Sequence, residues 1–217
     1  MSDARIVFYF DCASAFSYIG FEFMEKYRAL WNIDVDYRPF VLEEVMANAK
    51  NAFSPYKLPF LFQDLKRTSS ITGIPFKGVP TNYPYDPTVA LRTLQFIKSH
   101  DADNKLPQAM RQLWLMEYVQ RKAPGSIDNV KEALNNGGID ESVVDQAMAL
   151  AETLDAVKNN TARVKELRGF GAPTILAYKA GSTEPQLFFG SDRFEHLAIY
   201  LDKEFYPMKQ LFANAKF

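Results

Sequence analysis

The sequence predicts an α/β protein in which a four-stranded mixed sheet is interrupted by a large all-helical insertion. Apolar, β-rich runs occur near the two ends of the chain, and the long stretch between them shows helical spacing of its apolar residues. The chain has 217 residues, of which 47% are hydrophobic and 24% charged, as is typical of a globular protein. The element order is β-α-β, a helical block, then β-β-α.

The first part of the chain has the pattern of a β-α-β unit. Residues 5–10 (RIVFYF) form a continuous apolar run, which predicts a strand covered on both faces. Ser14 is a candidate N-cap for a helix whose apolar residues recur at helical spacing up to Trp31. Residues 33–40 (IDVDYRPF) alternate and end at a proline, which predicts a second strand.

Helical patterns broken by Pro, Gly and Asn fill the middle of the chain. One predicted helix ends at Gly73, another begins near Pro87, and a third is capped by Ser126. The sequence 140–169 predicts two further helices, and 74–85 predicts a Pro-rich loop.

The strand patterns return near the C-terminus. Residues 171–181 contain a strand after a proline, and a turn of hairpin composition leads to a second strand before Gly190. A last helix is expected to begin near Ser191 or Asp192. This order is that of a thioredoxin-like fold, with residues 1–45 and 169–217 as the thioredoxin-like domain and 46–168 as the helical insertion domain.

Composition excludes several function classes. The net charge of -1, without blocks of like charge, argues against nucleic acid as a partner. One cysteine and two histidines leave no material for a disulfide framework, a dithiol cycle or a zinc site, so no metal is expected. No run is long and apolar enough to predict a membrane span, and the N-terminus lacks a signal-peptide pattern. The last three residues, 215–217, match the S-K-L peroxisomal signal poorly.

The start of the first helix is the first candidate for chemistry. Residues 14–17 (SAFS) have C-x-x-C spacing with serine at both positions, and Cys12 lies two residues earlier. Without a nearby base, Ser14 is a poor nucleophile, but its hydroxyl can donate a hydrogen bond to the thiolate of a ligand. The bland alternatives are a plain N-cap for Ser14 and a small buried hydrophobe for Cys12.

Two further segments have the composition of a binding site. Within Gly171-Ala172-Pro173-Thr174, Pro173 stands where a thioredoxin-like fold has a cis-proline, which would leave the Ala172 backbone to pair with an extended peptide; a trans-proline in a loop is the alternative. Ser191 and Asp192 offer backbone N–H groups, a hydroxyl and a carboxylate, which suit an amino acid head group; a capped helix is the alternative.

Together these segments resemble the kappa-class glutathione transferases, which are related to 2-hydroxychromene-2-carboxylate isomerases and to DsbA-like oxidoreductases. The resemblance is carried by FYFDCASAFSYIGFE, by YRPF with Asn51 downstream, by GFGAPT and by LFFGSDRFEHLAIYL. It runs from residue 5 to the C-terminus. In place of Ala15 the family usually has proline.

The resemblance implies a role for each matching position. Ser14 would hydrogen-bond the glutathione sulfur, beside Ala15 and Phe16 at the helix start. The Ala172 backbone, ahead of cis-Pro173, would pair with the cysteinyl unit. Ser191 and Asp192 would bind the γ-glutamyl end, and Asn51 and Lys57 would bind the glycyl end. The resemblance also implies a homodimer without a cofactor, with glutathione as co-substrate, in the peroxisome or the mitochondrion, the peroxisome being favoured.

We therefore expect a glutathione transferase whose bound thiolate attacks a small hydrophobic electrophile. The electrophile would bind in an apolar pocket between the two subdomains, lined by Trp114 or by the 74–85 loop; for any one of these residues, packing in the core is the alternative. The alternatives are a glutathione-dependent isomerase of the 2-hydroxychromene-2-carboxylate type and a non-catalytic glutathione-binding or scaffold protein. A dithiol oxidoreductase is disfavoured by the Ser-x-x-Ser turn, and a serine hydrolase by the absence of a G-x-S-x-G motif.

Overall fold

The computed structural model describes residues 4–51, 54–100, 104–213 and 215. The strands are β1 (Arg5–Phe10), β2 (Asp34–Pro39), β3 (Thr174–Tyr178) and β4 (Gln186–Phe189). The helices are α1 (Ala15–Trp31), α2 (Leu42–Asn48), α3 (Leu58–Thr72), α4 (Thr88–His100), α5 (Leu106–Tyr118), α6 (Ile127–Asn136), α7 (Ser142–Ala149), α8 (Ala151–Glu166), α9 (Phe194–Leu201) and α10 (Met208–Leu211). A short 3₁₀ turn, Pro55–Lys57, precedes α3.

The four strands form one mixed sheet in the order β2-β1-β3-β4, which confirms the predicted fold class. Strand β1 pairs in parallel with β2 and antiparallel with β3, and β3 pairs antiparallel with β4. The register places Tyr9 opposite Thr174. The turn that follows β1 therefore lies beside the segment that precedes β3.

Strand β1 is buried on both faces, as its continuous apolar run predicts. Ile6, Phe8 and Phe10 belong to the larger hydrophobic core, which includes α1 and much of the helical block. Val7 and Tyr9 point to a smaller core on the other face of the sheet. Alternation along a strand sends successive side chains to opposite faces, so an apolar residue is required at nearly every position.

The local helix signals act largely where the sequence places them. Ser14 and Ser126 are the N-caps of α1 and α6, and Gly73 ends α3 in the left-handed conformation. The expected start of the last helix was wrong, because α9 begins only at Phe194. The Asp192 carboxylate pairs with the Arg193 guanidinium at 2.9 Å and makes no capping bond to the helix.

Among the described residues between β2 and β3, the regular elements are all helical, and loops such as residues 73–87 separate them. The predicted domain boundary at 45/46 falls inside α2, and the division into two domains stays a prediction. Of the last three residues, which were compared with the S-K-L signal, Lys216 and Phe217 lie outside the described residues. Among the helices that the structure describes, none combines the length and the apolar character needed to cross a bilayer.

Candidate functional site

Ser14 lies at the N-terminus of α1, directly after the turn that leaves β1. Its Oγ accepts a hydrogen bond from the Ser17 N–H at 3.1 Å, and its own N–H donates to the Asp11 carbonyl at 3.2 Å. The Ser14 hydroxyl has no acceptor among the described residues, so its proton remains available to a ligand. A helix N-terminus also favours negative charge, because its first N–H groups lack intrahelical partners.

Asp11 holds this turn in place, a role that we did not predict from the sequence. Its carboxylate accepts the Ala13 N–H at 2.8 Å and the Leu42 N–H at 2.7 Å. One side chain thereby joins the Ser14 turn to the start of α2. Burial raises the pKa of Asp11 from 3.8 to about 6. Of the two hydrogen bonds, the one from the Ala13 N–H has a signal in the sequence, because an Asp two residues before Ala13 has the spacing of an Asx-turn.

Cys12 is a buried residue that faces away from the site. Its side chain is 1% exposed, and its carbonyl accepts the indole N–H of Trp114 at 3.0 Å. Burial, with the nearby carboxylates of Asp11 and Glu117, raises the pKa of the Cys12 thiol well above its usual range. A thiol in these surroundings is a poor nucleophile, because the thiolate is the reactive form.

A cavity of about 320 Å³ opens beside the Ser14 turn. It brings together predicted residues from four separate segments of the chain. Its wall includes Ser14, Ala15, Phe16, Asn51, Lys57 and Ala172. Leu61 and Phe62 of α3 contribute part of its apolar surface. Another cavity of about 320 Å³, beside Arg5 and Lys98, is lined by none of the predicted residues.

The segment before β3 forms one side of this cavity. The peptide bond between Ala172 and Pro173 is cis, which confirms the prediction for this bond. Among the described residues, the N–H and C=O of Ala172 have no hydrogen-bond partner. Asn51 lies nearby, and its side-chain amide donates to the Phe170 carbonyl at 2.9 Å. The Ala172 backbone therefore offers a donor and an acceptor to a ligand.

Ser191 and Asp192 lie next to this segment but do not line the cavity. The Gly190 N–H donates to the Pro173 carbonyl at 3.0 Å, which places the end of β4 against the proline. A Cβ built on Gly20 of α1 would lie 3.5 Å from the Ser191 Cβ. Ser191 therefore packs against α1, while the Asp192 side chain is exposed and paired with Arg193.

A second cavity, of about 570 Å³, adjoins the first. The two cavities share four wall residues: Ala13, Leu42, Met46 and Tyr83. The 74–85 loop contributes Tyr83, Pro84 and Tyr85 to the second cavity, in agreement with the expectation for this loop. Trp114 follows the alternative of core packing, because its ring is fully buried in the larger core and makes tilted contacts with the rings of Tyr18 and Phe21.

Tyr83 stands at the boundary between the two cavities. Its hydroxyl donates to the Ala13 carbonyl at 3.3 Å. Burial raises the pKa of Tyr83 to about 12, so the phenol is neutral at physiological pH. The composition of the loop predicted an irregular segment without indicating which of its aromatic residues would reach Ala13.

Comparisons with known proteins agree with this architecture. A DSBA-like thioredoxin domain matches residues 5–202. The chain is 30% identical to glutathione S-transferase kappa 1 of Caenorhabditis elegans, over 92% of this chain and 91% of the relative. Glutathione S-transferase kappa 2 of the same organism is 28% identical over 99% and 100% of the two chains.

Among solved structures, a 2-hydroxychromene-2-carboxylate isomerase superposes with a TM-score of 0.73 at 20% identity, covering 91% of this chain and 94% of the isomerase. At that identity the likeness shows a shared fold. The matched domain and the match to kappa 1 each span most of the chain. The chain therefore belongs to the DSBA-like thioredoxin domain family and, within it, to the kappa-class glutathione S-transferases.

Proposed function

We propose that this protein is a glutathione transferase that binds glutathione in the cavity beside Ser14. The glutathione sulfur lies against the Ser14 hydroxyl as a thiolate and attacks a small apolar electrophile from the neighbouring cavity. The observation that carries the proposal is the Ser14 hydroxyl, which lines the cavity with its proton unused while its oxygen accepts the Ser17 N–H.

The hydroxyl and the helix N-terminus together can supply enough free energy to ionise the glutathione thiol near neutral pH. Lowering the pKa of a free thiol from about 8.5 to about 6.5 requires roughly 2.7 kcal/mol. A hydrogen bond to a charged group contributes about 1.5–3 kcal/mol, and a helix N-terminus adds about 0.3–1 kcal/mol. Ser14 supplies both, because it is the N-cap of α1 and lines the cavity.

The remaining wall residues fit an extended tripeptide. The unpaired backbone groups of Ala172 suit a peptide unit that is added beside β3, in the manner of an extra strand. The exposed ammonium of Lys57 borders the same cavity and suits a terminal carboxylate. Asn51 secures the loop at Phe170 and leaves its amide oxygen for the ligand.

For the γ-glutamyl end we propose Ser191 and Asp192, which lie behind Pro173 at the end of β4. Their distance from the described cavity wall requires that the tripeptide extends past Pro173 toward the N-terminus of α9. Asp192→Asn should then weaken glutathione binding, because a carboxylate pairs with the ligand ammonium more strongly than an amide does. Isothermal titration with glutathione measures this loss.

The decisive experiment is Ser14→Ala, with Ser126→Ala as the matched control. Both serines cap helices through their side-chain oxygens, but only Ser14 borders the cavity. We expect Ser14→Ala to raise the pKa of bound glutathione by about one to two units, measured from the ultraviolet absorbance of its thiolate. Turnover of a general electrophile near neutral pH should fall at least tenfold.

Ser126→Ala should leave both quantities unchanged. If glutathione binds and its thiol pKa is the same in wild type and in Ser14→Ala, the proposed role of the hydroxyl is wrong. Tight glutathione binding without turnover of any electrophile would favour the scaffold alternative. We also propose a homodimer located in the peroxisome or mitochondrion, which light scattering and imaging of the tagged protein would test.

A further inference from the structure

We propose that the second cavity is the electrophile site and that it selects uncharged apolar electrophiles over those that carry a carboxylate. This inference rests on the proposed function, because it assumes a glutathione thiolate at Ser14. It adds the discrimination against a carboxylate, which neither the fold nor the family resemblance supplies.

The first step is the position of the cavity. It meets the Ser14 cavity at Ala13, Leu42, Met46 and Tyr83, so its contents face the same turn from the other side. Its volume of about 570 Å³ lies within the usual range for small-molecule sites. The proposal is that an electrophile in this cavity meets a sulfur held at Ser14 across this shared wall.

The second step is the character of the wall. Val41, Leu42, Met46, Pro84 and Pro87 supply aliphatic surface, and Tyr85 adds an aromatic ring. Such a surface favours an apolar body, since burying apolar area is what stabilises binding there.

The third step is the charge. The wall includes Asp11, Glu43 and Asp86, and no Lys, Arg or His is among its described residues. None of these three carboxylates forms an ion pair with a described residue. The cation Lys57 belongs to the first cavity, on the glutathione side. A carboxylate on the electrophile would therefore enter a cavity of like charge without a counter-ion, which lowers its affinity.

Electrostatics around Asp11 agree with this reading. Burial is the main cause that raises the pKa of Asp11 to about 6, and the negative charges of Asp86 and Glu43 raise it further. The charges of Asp86 and Glu43 therefore act on Asp11 within the same cavity wall.

The test uses two electrophiles that differ in one charge: methyl 4-chloro-3,5-dinitrobenzoate and the corresponding free acid. In both, the glutathione sulfur forms a bond to the ring carbon that bears chlorine, and chloride leaves with the electron pair of the C–Cl bond. Each rate is divided by the rate of uncatalysed reaction with glutathione, which removes the intrinsic difference in reactivity. We expect the ester to have a kcat/KM at least tenfold higher than the acid at pH 7.5.

Two adjacent residues of α2 provide a matched pair of variants. Glu43 lines the cavity, whereas Glu44 points away and pairs with Lys165 at 2.6 Å. Glu43→Gln should raise kcat/KM for the acid about threefold and leave the ester unchanged, and Glu44→Gln should change neither value. A smaller preference for the ester at high salt would support the same cause, because salt screens exposed charges.

The two levels of the proposal fail in different ways. If the acid reacts as fast as the ester, or if Glu43→Gln and Glu44→Gln act alike, the selectivity is wrong while the transferase assignment stands. If neither electrophile is turned over and the glutathione pKa is unchanged on binding, the proposed function itself fails. A clear preference for the acid would instead support the isomerase alternative, whose substrate is an unsaturated carboxylate.

Discussion

Replacing Asp11 by asparagine tests whether the carboxylate that joins the Ser14 turn to α2 is held at a cost in stability. The Asp11 side chain is 1% exposed and accepts the N–H groups of Ala13 and Leu42. Burial raises its pKa to about 6, above the ordinary value of 3.8, in spite of these two bonds. Asparagine has nearly the same shape and no titratable proton.

The raised pKa determines the sign of the effect. Because folded Asp11 binds a proton more tightly than the unfolded chain does, its contribution to stability is fully present below about pH 4 and is lost as the pH rises through about 6. A difference of about two pKa units corresponds to roughly 3 kcal/mol in the free energy of unfolding. About 2 kcal/mol of this change falls between about pH 4.5 and about pH 7.

The assay is urea unfolding, followed by circular dichroism, of wild type and Asp11→Asn at these two pH values. On going from the lower to the higher pH, wild type should lose about 2 kcal/mol more of its free energy of unfolding than Asp11→Asn loses. This double difference cancels the other titrating groups and the fixed cost of placing an amide against two N–H donors. The control is Asp155→Asn, at an exposed position on α8, which should keep the wild-type dependence. Identical pH dependence in wild type and Asp11→Asn would refute the reasoning.

Three further substitutions test the packing around the site. Arg111→Leu removes the guanidinium that pairs with the buried Glu22 carboxylate at 2.7 Å. The free energy of unfolding should fall by about 3–5 kcal/mol at neutral pH, and by less in acid, where the Glu22 carboxyl is protonated. Urea titrations at the two pH values measure both losses. Trp114→Phe leaves the buried Cys12 carbonyl without its donor and should cost at least about 1–3 kcal/mol in the same assay; an unchanged midpoint would contradict it. Gly73→Ala forces a side chain into a φ of 79° and should lower stability by about 1–2 kcal/mol in thermal unfolding.

Local signals in the sequence were enough for most of the secondary structure. The continuous apolar run of β1 predicts a strand buried on both faces because each successive side chain must meet a core. Ser14, Gly73 and Ser126 mark helix ends because a cap depends on residues only a few positions away. The cis bond before Pro173 was expected from the fold that these elements imply.

The site depended partly on information that the sequence does not display. Ser14 and Ala172 were expected to meet because the family resemblance assigns both to the glutathione site, and the register of β1 with β3 brings these segments together. The link from Asp11 to the Leu42 N–H was not foreseen, because it joins segments whose proximity depends on how α2 packs. The same holds for Tyr83, whose hydroxyl reaches Ala13 across a long loop.

The sequence by itself determined the order of the elements, the caps of the helices and the serine at the start of α1, because each depends on neighbours within a few residues. Only the tertiary structure decided that Trp114 is core, that Ser191 lies against α1 outside the cavity wall, and that Glu43 faces a second cavity while Glu44 does not. Those outcomes depend on which distant segments pack together, and packing is a property of the whole chain.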